Sequence, residues 1–118
     1  YTSIDEIHSY SIDESFLDVT ESLNFFYPEI KNRYMQMNLI ALDLQREIRD
    51  KLGLYVTVGM GDNPLLAKLA MDNYAKHNDN MRALIRYEDV PNKIWTIPKM
   101  TDFWGIGKRT EKRLNKLG

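Results

Sequence analysis

The chain has 118 residues, 43% of them apolar, enough for one modest core or a core with a small appendage. It has no cysteine and only two histidines, His8 and His77, which excludes disulfides, thiolate-held zinc and a histidine-rich metal site. The formal net charge of -1 does not by itself suggest nucleic acid, and no apolar run reaches membrane-spanning length.

The distribution of charge is more informative than its sum. Residues 1–30 hold seven acids and no Lys or Arg, whereas residues 105–118 hold five bases and one acid. An acidic end and a basic end suit a metal site and a phosphate-backbone contact, although short windows also fluctuate in charge. No signal peptide opens the chain, so a soluble, cytoplasmic protein without a membrane partner is expected. The abrupt polar start and the finish at Leu117-Gly118 read as a domain cut from something longer, or Gly118 is simply the C-cap of a last helix.

Ile7 to Ile12 and Phe16 to Val19 are strand candidates that would form a hairpin, with Asp13, Glu14 and Ser15 at the bend. Two adjacent carboxylates are an ordinary solvated turn, or they are held together by a hard divalent cation such as Mg²⁺ with phosphates as further ligands. Residues 21–29 read as a connection, and Pro28 suits the first turn of a helix. From Ile30 apolar positions recur at Tyr34, Met37, Ala41, Leu44, Ile48 and Leu52, which predicts a long amphipathic helix ending at Gly53. Leu54 to Met60 reads as a central strand, lying parallel to an earlier one through a right-handed crossover.

Gly59 and Gly61 permit a tight exit from that strand. Asn63 then suits an N-cap, and Pro64 the first position of a helix over 65–76. Lys68 falls off the main apolar stripe of this helix. It either snorkels to water or offers a point charge to a polyphosphate. No Gly-x-x-x-x-Gly-Lys-Ser/Thr run is present, and Gly59-Met60-Gly61 lacks the third glycine of a dinucleotide fingerprint.

His77 to Asn80 reads as a turn and Arg82 to Tyr87 as a strand. A Pro-bounded segment through Ile94, Trp95 and Ile97 follows. The last unit is Gly105-Ile106-Gly107-Lys108-Arg109 leading into a basic helix. Its glycines would let backbone amides approach a phosphate at the positive end of the helix dipole, with Lys108 and Arg109 adding charge. An ordinary surface helix after a glycine turn has the same sequence pattern.

Three stretches in this order carry a resemblance: Tyr10-Ser11-Ile12-Asp13-Glu14-Ser15-Phe16-Leu17-Asp18, Thr57-Val58-Gly59-Met60-Gly61-Asp62-Asn63-Pro64 through Ala67-Lys68-Leu69-Ala70, and Gly105-Ile106-Gly107-Lys108-Arg109-Thr110. Together they resemble the Y-family, or translesion, DNA polymerases, in the bacterial UmuC-like, ImpB/MucB/SamB branch. The resemblance implies an α+β fold. Residues 1–98 would be part of the palm: a β-hairpin, long helix, strand, helix and strand in one mixed sheet with helices packed on it. Residues 99–118 would begin the thumb with a helix-hairpin-helix-like element that meets the DNA backbone.

The resemblance further implies that Asp13 binds two Mg²⁺ ions and that Glu14 serves mainly the ion near the primer 3′-hydroxyl. Lys68 would lie beside the incoming deoxynucleoside triphosphate. Gly105, Ile106, Gly107, Lys108 and Arg109 would lie at the DNA backbone, and Ser11 and Asp18 would support the local structure. Primer-template DNA is the implied partner, with a sliding clamp reached through regions outside these residues. Pro64 and His77 stand where the family often has Lys and Pro. The family's first-strand aspartate is not supplied by these residues, so the isolated chain is expected to be inactive. Outside that class stand a non-catalytic DNA-binding or repair-scaffold module and a nucleotide cyclase. The cyclase would need no primer or template, and the Gly-Ile-Gly element argues against it.

Overall fold

The computed structural model describes residues 6–118, which fall into two compact units divided between Val56 and Thr57. In the first unit, β1 (Ile7–Ser9) and β2 (Ser15–Leu17) pair antiparallel with Ile7 opposite Leu17 and Ser9 opposite Ser15. Residues 10–14 close the hairpin, where the Tyr10 and Ser11 amides both donate to the Glu14 carbonyl. The Tyr10 and Phe16 rings meet edge to face at 6.1 Å, an arrangement their quadrupoles favour.

A short helix α1 (Ser22–Phe26) follows, in a segment whose sequence reads as a connection. The long helix α2 spans Arg33–Leu52. Pro28 does not start it. Asn32 does, because its side chain accepts from the Tyr34 and Met35 amides and satisfies two orphan donors. Gly53 ends it in the left-handed conformation at φ 68°, which a glycine adopts without a Cβ penalty. Buried Leu23 on α1 and buried Ile40 and Ala41 on α2 supply apolar contact. Gln36 is also buried, and its amide donates to Asn24 Oδ1 and the Tyr27 carbonyl at 3.0 and 2.9 Å, so the polar group is satisfied and ties α2 to the α1 segment.

In the second unit β3 (Val58–Gly61), α3 (Pro64–Asn73) and β4 (Arg82–Ile85) form a βαβ unit. The two strands pair parallel, Val58 opposite Arg82 and Gly61 opposite Ile85. Asn63 caps α3 by accepting from the Leu66 amide at 2.8 Å, and Pro64 takes the first turn, where its missing N–H costs nothing. Leu66, Leu69 and Ala70 of α3, Ile85 of β4 and Ile94 form the core. Ile94 lies in a π-turn over Val90–Ile94 that follows a single 3-10 turn, Tyr87–Asp89. The chain closes with a 3-10 turn at Met100–Asp102 and helix α4 (Lys108–Asn115).

The fold is α+β, but one mixed sheet does not form among the described residues. There are two separate two-stranded sheets, β1-β2 and β3-β4. The apolar run Leu54 to Thr57 looks like a strand by composition, yet ladder pairing starts only at Val58, and β3's partner is the later β4 rather than an earlier strand. Pairing is set by the partner the backbone finds, and β-propensity alone does not choose it.

Candidate functional site

Ser11, Asp13 and Glu14 come together on the hairpin loop. The Ser11 hydroxyl donates to Asp13 Oδ1 at 2.8 Å and lies 3.4 Å from Glu14 Oε2. Asp13 is exposed and Glu14 half-buried. The loop therefore presents two carboxylates steadied by one hydroxyl, a hard oxygen donor set of the kind Mg²⁺ prefers. The donor set is partial, since no group of three His, Cys, Asp or Glu suited to a metal occurs among the described residues.

Asp18 is engaged elsewhere. Its Oδ1 accepts from the Thr20 hydroxyl at 2.6 Å and the Thr20 amide at 3.0 Å. The hydroxyl bond first, then the amide bond, holds its carboxyl below the usual carboxylate range. That oxygen fixes the chain just after β2.

Lys68 belongs to the second unit, as do residues 105–109. It does not snorkel. Its side chain is only 9% exposed, and its ammonium pairs with Asp72 one turn later at 3.1 Å. Asp72 also receives Lys76 at 3.3 Å. Asp72 was not singled out by its residue type, although the Lys-x-x-x-Asp spacing is the signal for such a pair on a helix.

The reason for Gly59 and Gly61 is close approach. A Cβ on Gly59 would stand 2.1 Å from the Ala67 carbonyl oxygen, and one on Gly61 would stand 2.7 Å from the Ala67 amide nitrogen. Neither has a positive φ. The glycines thus let α3 lie directly on β3. At the strand's exit Asp62 accepts from the Tyr87 amide at 2.8 Å and ties this corner to the end of β4. The Asn73 side-chain amide reaches both the Leu69 carbonyl and the Asp102 carbonyl, linking α3 to the turn before the Gly-Ile-Gly stretch.

In that stretch Gly105 has φ +90°, a conformation suited to glycine, while Gly107 is an extended N-cap with open space where a Cβ would be. Ile106 is half-buried. Lys108 and Arg109 are exposed in the first turn of α4, and no side chain caps that turn. Two cations at the positive end of a helix dipole are unfavourable for the helix alone and favourable for binding an anion.

Residues 1–72 match the impB/mucB/samB family, and residues 87–118 match the IMS family HHH motif. UvrX of Bacillus subtilis (strain 168) is 43% identical over 112 residues, which is 95% of this chain and 24% of that protein. The DNA repair protein homolog YobH of the same organism is 44% identical over 79 residues, 67% of this chain and 36% of that protein. DNA polymerase IV 2, again from Bacillus subtilis, is 35% identical over 114 residues, 97% of this chain and 26% of that protein. The chain thus spans about a quarter to a third of the length of these relatives.

Proposed function

The chain belongs to the impB/mucB/samB family of Y-family, translesion DNA polymerases, and from that premise we propose that it carries part of a DNA-directed DNA polymerase active site. Residues 1–98 would be the later palm and residues 99–118 the start of the thumb. The reaction is templated transfer of a deoxynucleotide from its triphosphate to a primer 3′-hydroxyl, in damage-tolerant synthesis during DNA repair. The observation that carries the proposal is the convergence of Ser11 on Asp13 and Glu14 at the hairpin tip.

Asp13 and Glu14 would hold two Mg²⁺ ions, with phosphate oxygens as further ligands. When bound there, the ions would activate the primer hydroxyl and neutralise the departing pyrophosphate. The Ser11 hydroxyl keeps the two carboxylates from rotating apart. Lys68 presents a fixed positive charge to the triphosphate from the face of α3. The amides at the start of α4, with Lys108 and Arg109, would grip a backbone phosphate and read its position, not its base. A sliding clamp would be met outside these residues.

The first-strand aspartate that the resemblance implies is not supplied by these residues, and no group of three His, Cys, Asp or Glu suited to a metal occurs among the described residues. The isolated 118-residue chain is accordingly expected to lack polymerase activity. Templated extension by that chain alone, abolished by Asp13→Ala, would overturn this expectation. The test of the function itself is primer extension by the full-length protein with Asp13 or Glu14 replaced. DNA binding without extension would favour a non-catalytic binding module instead.

A further inference from the structure

We propose that Asp72 is a positioning residue for Lys68: it holds the buried ammonium in the orientation from which it meets the triphosphate of the incoming nucleotide. The proposal rests on the reading that Lys68 contacts that triphosphate. Lys68 is 8% exposed, one of four buried residues of α3 with Leu66, Leu69 and Ala70. Its ammonium lies 3.2 Å from Asp72 Oδ1 and 3.1 Å from Oδ2, so it is shared across the whole carboxylate.

An apolar side chain at so buried a position would avoid the desolvation cost of a charge. A buried lysine paired with a half-buried aspartate is therefore a weak device for stability, and its contribution is sought elsewhere. A free lysine has four rotatable bonds and loses much of its freedom on binding an anion. Here that ordering is complete before any nucleotide arrives, which is preorganisation. Lys76 makes the arrangement electrically workable. Its ammonium, 3.3 Å from Asp72 Oδ1, shares the same carboxylate. The trio of one acid and two bases keeps a net positive charge, so Asp72 steadies Lys68 without cancelling the charge the site offers.

Single-nucleotide incorporation by the full-length protein on primed DNA tests this, with KM for the deoxynucleoside triphosphate and kcat measured separately. Asp72→Asn is expected to raise KM roughly tenfold, the scale of one lost charge-assisted hydrogen bond, with kcat and primer-template affinity close to unchanged. Asp72→Glu is expected to recover most of the loss. In a Lys68→Ala background Asp72→Asn should have no further effect on KM, because a positioning residue acts only through the group it positions.

If Lys68→Ala leaves KM unchanged, the reading of Lys68 as the triphosphate contact has failed. If Lys68→Ala raises KM while Asp72→Asn does not, or if Asp72→Asn acts equally in both backgrounds, the positioning role is overturned and the reading of Lys68 stands. A fall in KM for Asp72→Asn would also overturn it, by showing that Asp72 competes with the nucleotide for the lysine.

Discussion

The Ser11 hydroxyl lies 2.8 Å from Asp13 Oδ1 and 3.4 Å from Glu14 Oε2, so a single small side chain spans the two adjacent carboxylates of the hairpin tip. Losing a group that orients a ligating carboxylate typically costs about 10- to 100-fold in metal affinity. In the full-length protein Ser11→Ala is expected to raise the Mg²⁺ concentration for half-maximal extension by roughly tenfold. Ser11→Thr, which keeps the hydroxyl, should restore it. An unchanged Mg²⁺ titration in Ser11→Ala would count against the role given to this hydroxyl.

The close seat of α3 on β3 predicts a sharp contrast among glycines. Gly59→Ala would drive a Cβ to 2.1 Å from the Ala67 carbonyl oxygen and 2.5 Å from the Met71 amide nitrogen, both of them backbone atoms that cannot rotate away. It should destabilise the second unit by about 3 kcal/mol in urea unfolding, the upper part of the range for overpacking. Gly107→Ala meets nothing within 4 Å and, as an N-cap change, should cost no more than about 1 kcal/mol. Equal effects at the two positions would refute the packing explanation.

Acid sensitivity should be traceable to Asp89. Arg86 holds this carboxyl with two side-chain bonds at 2.9 Å and a backbone amide bond at 3.0 Å, which lowers its pKa from 3.8 to about 2. A depressed folded-state pKa means that the stabilisation is complete above the unfolded value. It is lost as pH falls from 3.8 toward 2, because the unfolded chain takes up the proton first. The stability difference between the natural chain and Asp89→Asn, followed by urea unfolding, should therefore be largest above that window and vanish at its lower end. A constant difference across the window would contradict the assignment.

Helix α4 carries two of its cations, Lys108 and Arg109, at the wrong end for its own stability, while Lys112 and Arg113 lie in its last turn. Replacing Lys108 and Arg109 with Gln should leave the free protein as stable or slightly more so, because two like charges leave the positive end of the dipole. The same change should weaken binding to primed DNA. It should also reduce the slope of log affinity against log salt by about 2, if each cation meets one phosphate. An unaltered salt slope would remove these residues from the interface.

Local signals carried much of this fold into the sequence. The three- and four-residue apolar spacing marks α2, with Ala41 of that stripe and neighbouring Ile40 buried, and the Asn63-Pro64 pair marks the start of α3. What failed was decided partly by a competing local cap and partly by distant partners. Pro28 suits the first turn of a helix, but the amides that Asn32 accepts from, two and three residues on, fix the start of α2. Leu54 to Thr57 has strand composition, but its place depended on which backbone β3 would pair with, and that is β4. The acids at the hairpin bend were legible because loop, strand and carboxylates are contiguous in sequence. The burial of Lys68 was not legible, since a lysine tolerates it only with a carboxylate in reach, and Asp72 supplies that one turn later.

The most direct measurement is primer extension by the full-length protein with Mg²⁺, on undamaged templates and on templates with an abasic site, beside Asp13→Ala and Glu14→Ala. The polymerase reading predicts extension on both templates and a loss of at least about 100-fold in each variant, as expected when a ligand to a catalytic ion is removed. Extension that survives both substitutions, or none at all from a folded protein that still binds primed DNA, would contradict it and leave Asp13 and Glu14 as a solvated turn.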